Sequence, residues 1–185
     1  MDAHVPLARV LTWAAPRRSF YARRMDFTLE RVKVDDPRAV ALRGILDLDL
    51  DDRYRDADAD DPPGMAEERA EALAVHEDQV VATYLALDAD GTALGHVMLR
   101  RLGEEWELKR LIVTAAARRR GVGRALTGAV VARAREGGAR RVILQSGRMQ
   151  PESLALYAGA GFTPIPVYEP YIATMPDSLC FERVL

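Results

Sequence analysis

Apolar residues along this chain recur with two periods, and the switches between them divide it into elements. Alternation at Phe27, Leu29, Val32 and Val34 predicts a first strand over 27–34. Asp36 at a capping position and Pro37 at the first helical position then open a helix whose apolar face reads Val40, Leu42, Ile45, Leu46 and Leu48. The segment 47–61 carries eight aspartates against Arg53 and Arg55 and runs into Pro62-Pro63-Gly64, so it reads as an acidic loop. A polar, Glu-rich helix over 66–76 follows, with Ala70, Leu73 and Ala74 as its stripe. Val80 to Leu87 is a strand, Asp90-Gly91 a hairpin turn, and 93–102 the returning strand. Gly103-Glu104 turns the chain again into a third strand, Trp106 to Val113. Simple alternation puts Glu107, Lys109, Leu111 and Val113 on one face of it, and Leu108, Arg110 and Ile112 on the other.

Helical spacing returns at Val122, Leu126, Ala129, Val130 and Ala134, and it stops at Gly137-Gly138. Arg141 to Gln145 is a buried-type strand, and Pro151 opens a short helix over 152–158 that ends at Gly159 to Gly161. Pro164, Pro166, Pro170 and Pro176 predict a mostly irregular 163–177 before a last strand, Ser178 to Leu185. A strand meander, a crossover helix, a strand, a helix and closing strands make an α/β domain with a mixed sheet.

Composition narrows the function classes. The 185 residues suit one domain, and a net charge of −2 speaks against a nucleic-acid binder. The basic residues at 100, 101, 109, 110 and 118–120 have no nucleic-acid motif around them. Cys180 is the single cysteine, and His4, His76 and His96 are scattered, so no metal site is expected. No apolar run approaches the roughly 20 residues that span a bilayer. A cytoplasmic protein without membrane attachment is the expectation. Residues 1–24 hold five arginines and Asp2 as the one acid, a balance unlike the acidic remainder. They read as a disordered or extraneous extension, a targeting peptide being the alternative, with the domain over 25–185.

The chemistry-bearing stretch lies where the third strand feeds the long helix: Arg118-Arg119-Arg120-Gly121-Val122-Gly123-Arg124. A helix start offers free backbone N–H groups and the positive end of the helix dipole, and glycines let a phosphate approach them. A Walker A loop needs Gly-Lys-Ser/Thr, which is absent, and a dinucleotide fingerprint needs a third glycine where Leu126 stands. A solvated Arg-rich helix start is the alternative on these residues alone.

The Arg-x-x-Gly-x-Gly pattern at 118–123, after a Leu-Ile-Val strand end, resembles the acetyl-CoA loop of the Gcn5-related N-acetyltransferases (the GNAT superfamily). A second stretch, Gln150-Pro151-Glu152-Ser153-Leu154-Ala155-Leu156-Tyr157 followed by Gly161-Phe162, is similar to that family's Asn-x-x-Ala-x-x-x-Tyr and Gly-Phe spacing. The resemblance implies the single-domain acyl-CoA N-acyltransferase fold, a mixed sheet of about six or seven strands flanked by helices. It implies acetyl-CoA as cosubstrate and direct transfer to a primary amine of a small molecule or peptide. A module that binds acyl-CoA without transferring it, and an enzyme for a protein N-terminus or lysine, are the alternatives; a homodimer stays open.

By the same resemblance the pyrophosphate sits on the amides of Arg119, Arg120, Gly121, Val122, Gly123 and Arg124, with Arg118 shaping the loop or neutralising charge. Pantetheine pairs with the strand edge at Leu111, Ile112 and Val113, near a bulge, and Gln150 and Ser153 lie beside it. Gln150 stands where many relatives have Asn, which puts its hydrogen bond to pantetheine in question. Tyr157 matches the tyrosine that protonates the departing thiolate; a core aromatic is the alternative. Glu107 is the candidate base, directly or through a water, or else a surface Glu paired with Arg110 or Lys109. Gln145 stands where some peptide N-terminal acetyltransferases place a carboxylate, and an amide cannot serve as that base. Asp51, Asp52, Tyr54, Tyr168 and Tyr171 are acceptor-side candidates, the aspartates by attraction of a cationic amine.

Overall fold

The computed structural model describes residues 26–57 and 61–185; the extension expected over 1–24 lies outside them, as do 58–60 of the acidic segment. Seven strands form one mixed sheet. They are β1 (Thr28–Val32), β2 (Val80–Leu87), β3 (Ala93–Leu102), β4 (Glu105–Val113), β5 (Arg141–Ser146), β6 (Thr163–Ile165) and β7 (Leu179–Val184), in the order β1-β2-β3-β4-β5-β7-β6. The helices are α1 (Pro37–Tyr54), α2 (Met65–Leu73), α3 (Val122–Glu136), α4 (Pro151–Gly159) and α5 (Tyr171–Thr174). Every neighbouring pair is antiparallel except β4 and β5, which α3 connects as a parallel crossover.

The α3 stripe read from the sequence is the one that packs. Val122, Leu126, Val130 and Ala134 are at most 1% exposed and lie against Val97, Leu99, Trp106, Leu108, Val142 and Leu144 of the sheet. At about 1.5–3 kcal/mol for each large apolar side chain buried, this layer is the main stabilising mass of the domain.

Helix α1 departs from expectation twice. Asp36 caps it as predicted, accepting from the amide of Arg38. Yet it runs on through the aspartates to Tyr54, so 47–54 is helix rather than loop. The reason is local: Asp49 and Arg53 are spaced i,i+4 and form an ion pair at 2.9 Å, a pairing that supports a helix. Its inward side also keeps only part of the apolar stripe read from the sequence, Leu42 and half-buried Leu46. Ala39 and Leu42 are buried, whereas Val40, Ile45 and Leu48 are 48%, 53% and 72% exposed. Two arginines, Arg43 and Arg53, are turned toward the domain instead, each bound to backbone carbonyls there.

Strand β4 follows simple alternation only to Lys109. Its pairing with β3 shifts by one residue between Met98↔Lys109 and His96↔Ile112, and Arg110 there has a left-handed φ of 55°. This is a bulge, and an extra residue exchanges the two faces beyond it. Leu111 and Val113 therefore pack with the α3 layer, and Ile112 packs toward α1, opposite to the faces that uninterrupted alternation assigns. On its other side β4 pairs with β5 only at Glu107↔Ile143, so the two parallel strands diverge beyond that point.

Candidate functional site

The loop between β4 and α3 has the form of an anion cradle. Arg119 and Gly121 take left-handed backbone angles (φ 62° and 88°), an alternation that turns successive amides inward. The amides of Arg119, Gly121, Val122, Gly123 and Arg124 have no acceptor among the described residues, while Arg118 and Arg120 donate back to Ala115 and Ala117. Arg118, Arg119 and Arg124 are exposed at this mouth. Arg120 is not free in the same way, because its guanidinium lies 3.0 Å from Asp26 and 3.5 Å from Asp88 and ties the loop to the sheet. A Cβ on Gly123 would stand 3.0 Å from Leu156, so α3 and α4 approach closely behind the loop.

Between the cradle and the middle of the sheet lies the opening where β4 and β5 part. Its β4 edge is formed by Leu111, Ile112 and Val113, all half-buried. Gln150 precedes α4 and Ser153 lies in its first turn, both half-buried. Tyr157, one turn further, is 5% exposed and held by Phe162 and Phe181, with ring centroids 5.8 and 6.4 Å away. Burial pushes its phenol well above the usual range, so it stays protonated. Its hydroxyl has no hydrogen-bond partner among the described residues. The core reading and the acid reading of Tyr157 thus meet in one side chain: a packed ring with an unassigned O–H.

On the α1 and α2 side of the sheet sits a closed polar cluster. Glu107 is fully buried, and its partner is neither Arg110 nor Lys109 but Arg100, whose Nε donates to Oε2 at 2.6 Å. Tyr168 and Tyr171 both donate to Oε1, at 2.8 and 2.7 Å. The Tyr171 hydroxyl in turn accepts from Lys109 Nζ at 2.9 Å and from Arg100 Nη2 at 3.1 Å. Arg100 is fixed further by the carbonyl of Ala74. Burial holds Lys109 down to about 8, the Glu107 charge opposing that shift, and burial raises both tyrosines. One carboxylate is thus shared by one arginine and two phenols, with Lys109 reaching it through the Tyr171 hydroxyl, and half-buried Tyr168 is the outermost member.

The remaining predicted residues separate. Tyr54 accepts from the amide of Met149 at 3.0 Å, and Arg53 beside it binds the Met149 carbonyl and Glu152. A Cβ on Gly147 would come within 1.8 Å of the Tyr54 hydroxyl, so glycine is required where α1 braces the β5–α4 loop. Asp51 and Asp52 are exposed on α1, Asp52 pairing with Arg55 at 2.9 Å, and neither joins the buried cluster. The Gln145 amide donates to Ser178 at 2.9 Å. Among the described residues no group of acidic, His or Cys side chains could hold a metal, and no helix is long and apolar enough to cross a membrane.

Arg100 is a member of the cluster that the sequence reading passed over, and Lys109, considered there only as a direct partner of Glu107, joins it through Tyr171. A signal for Arg100 existed. A two-residue turn at Gly103-Glu104 sets Leu102 opposite Glu105, and therefore Arg100 directly opposite Glu107.

Comparison with known proteins agrees with this fold. The model of the acetyltransferase (GNAT) family matches residues 43–162. None of the curated proteins matches the chain. Among solved structures, a Klebsiella pneumoniae protein assigned as an acyl-CoA N-acyltransferase is 22% identical, with 86% of this chain and 97% of that one covered at a TM-score of 0.67. An acetyltransferase from Streptococcus agalactiae is 18% identical over 86% and 99%, at 0.60. The PaiA N-acetyltransferase of Thermoplasma acidophilum, in complex with coenzyme A, is 15% identical over 87% and 100%, at 0.59.

Proposed function

The chain belongs to the acetyltransferase (GNAT) family, and on that premise we propose that it moves an acetyl group from acetyl-CoA to a primary amine of a small molecule or peptide, by direct attack within a ternary complex. The observation that carries this reading is the opening between β4 and β5. Unpaired amides stand before α3, Tyr157 with its unpartnered hydroxyl follows Gln150 and Ser153 on α4, and Glu107, the residue at which β4 and β5 still pair, is a buried carboxylate bearing two phenols.

The pyrophosphate of acetyl-CoA rests on the amides of Arg119 and of Gly121 through Arg124, with Arg118 neutralising charge from the exposed side. The pantetheine arm pairs with the Leu111 to Val113 edge that β5 has left, past Gln150 and Ser153. This sets the thioester carbon at the bulge. An alkylamine arrives mostly as ammonium at neutral pH and must lose a proton before it can attack. Glu107 takes that proton through the Tyr168 hydroxyl, which accepts from the amine while donating to Oε1. The amine nitrogen then bonds to the acetyl carbon, and the C–S bond breaks as Tyr157 gives its proton to the thiolate. The second proton that the nitrogen loses as the amide forms restores the Tyr157 hydroxyl, while Glu107 returns the first to solvent. The Arg100 pair fixes the Glu107 carboxylate in place, and relay through Tyr168 keeps both proton transfers short. Lys109, held near 8, adjusts the charge of the cluster from the far side of Tyr171.

Titration calorimetry with coenzyme A, followed by thiol release with acetyl-CoA over a panel of small amines and short peptides, tests the reading. Coenzyme A binding with amine-dependent thiol release is expected. Tight binding with release no faster than hydrolysis for every acceptor would instead make the chain an acyl-CoA-binding module, and no binding would end the proposal.

A further inference from the structure

His96 is fully buried on β3, and the chemistry above does not use it. Its Nδ1 lies 2.8 Å from the carbonyl oxygen of Arg110, the left-handed residue of the β4 bulge. That oxygen can only accept, so Nδ1 carries the hydrogen. Its Nε2 lies 3.4 Å from Nη1 of Arg43, which can only donate, so Nε2 is bare. The partners on both sides thus fix one neutral tautomer. Arg43 is itself held on α1 by the Val34 carbonyl at 2.9 Å, and the Arg110 side chain returns to α1 through Asp47.

A left-handed backbone on a residue other than glycine costs about 1–2 kcal/mol and persists only where surrounding contacts determine it. Here two contacts bear on that residue: the His96 N–H on the bulge carbonyl and the Asp47 carboxylate on the Arg110 side chain. A trans peptide is planar, so a carbonyl drawn toward β3 sends the N–H of the same peptide unit, that of Leu111, away from β3. Away from β3 is the side on which β4 has lost β5.

We propose that His96, held by Arg43, is a positioning residue that locks the Arg110–Leu111 peptide so that the Leu111 N–H faces the reacting carbonyl in the β4–β5 opening. The inference rests on the acetyl-CoA reading given above. The His96 ring touches no substrate atom. It acts through a peptide plane, and the N–H it aims stabilises negative charge on the thioester oxygen as the amine adds. The same chain of bonds ties α1 to the alignment of that donor.

The test compares His96→Leu, which removes the donor, with His96→Asn, whose amide can occupy the Nδ1 position. For each protein three quantities are measured: coenzyme A affinity by calorimetry, kcat with an amine the wild type accepts, and the infrared carbonyl stretch of bound 13C-acetyl-CoA. His96→Leu is expected to lower kcat about 10- to 100-fold, with coenzyme A affinity within about threefold. Its bound carbonyl stretch should move back toward the value in water. His96→Asn is expected to recover most of kcat and of the carbonyl shift. Arg43→Met leaves the buried sheet untouched and should lower kcat in the same direction by a smaller factor; it decides the matter if His96→Leu does not fold. Wild-type kcat and carbonyl shift in His96→Leu, or in Arg43→Met where that variant decides, overturn the role. So does an Asn variant no better than the Leu variant while both are folded and bind coenzyme A. Failure of the wild type to bind coenzyme A is a different result, and it removes the underlying reading instead.

Discussion

Replacing Glu107 by Gln keeps the size of the side chain and deletes one charge from the buried cluster. In the wild type that charge faces Arg100 at 2.6 Å with side-chain exposures of 3% and 0%, and Lys109 is bonded to the same Tyr171. At an effective dielectric constant of about 20, the gross attraction across 2.6 Å is roughly 6 kcal/mol, and the desolvation of both ions offsets much of it. Removing only the carboxylate leaves the cation buried without its counter-ion, which costs about 3–5 kcal/mol in sites of this kind. For a domain of this size that is a fall in Tm on the order of 10 °C. Lys109 should respond too. Glu107 is its main charge-stabilising neighbour, so the amine should fall below its value of about 8. Urea melts at neutral pH on wild type, Glu107→Gln, Arg100→Met and the double variant give the stability cycle. The double variant should lose less than the sum of the singles by about 2 kcal/mol. Turnover of Glu107→Gln should drop by about 10²-fold or more with coenzyme A affinity retained. A loss of stability below about 1 kcal/mol in both single variants, or strict additivity, refutes the buried pair as the organising charge of this side of the sheet.

Three further outcomes follow from single contacts. Tyr157→Phe should cost about 10²-fold in kcat while leaving coenzyme A affinity and urea stability nearly unchanged, because the hydroxyl has no protein partner to lose; equal kcat would remove it from the mechanism. His96 is held down to about 4 by burial, and by the nearby charges of Arg43 and Arg110, from an ordinary 6.5. As pH falls from 6.5 to 4 the unfolded chain takes up a proton that the folded one refuses, so stability should drop by about 3 kcal/mol across that window. The drop should be missing from the stability curve of His96→Asn, and so should appear in the difference between wild type and variant. Gly147→Ala should cost about 1–3 kcal/mol by displacing Tyr54, and a second change, Tyr54→Leu, should return part of it in thermal melts.

The sequence made the strand meander and the loop before α3 legible because both rest on local signals. Turn residues at Asp90-Gly91 and Gly103-Glu104 and the alternation of the strands fix the meander, and Arg118-x-x-Gly121-x-Gly123 at a helix start marks the loop. What it hid depends on departures from period or on distance. The bulge at Arg110 is a one-residue insertion in pairing, and nothing in Leu-Lys-Arg-Leu-Ile marks where it falls; without it His96 would be placed opposite Leu111. The inward side of α1 was misread because two arginines with buried tasks outcompete Val40, Ile45 and Leu48 for the sheet. Tyr168 and Tyr171 come from a proline-rich stretch with no period, so their meeting at Glu107 is set by tertiary packing alone. Arg100 was within reach, since hairpin arithmetic alone sets it across from Glu107.

The central claim, acetyl transfer to an amine in the opening between β4 and β5, is tested most directly by product balance. The wild-type chain is incubated with acetyl-CoA and an amine panel, and free thiol and acetylated amine are quantified together, the latter by mass spectrometry. The account predicts equal amounts of both, formed only when amine is present and suppressed together by Tyr157→Phe. Thiol release that is independent of amine, or the absence of any acetylated acceptor despite bound coenzyme A, contradicts it.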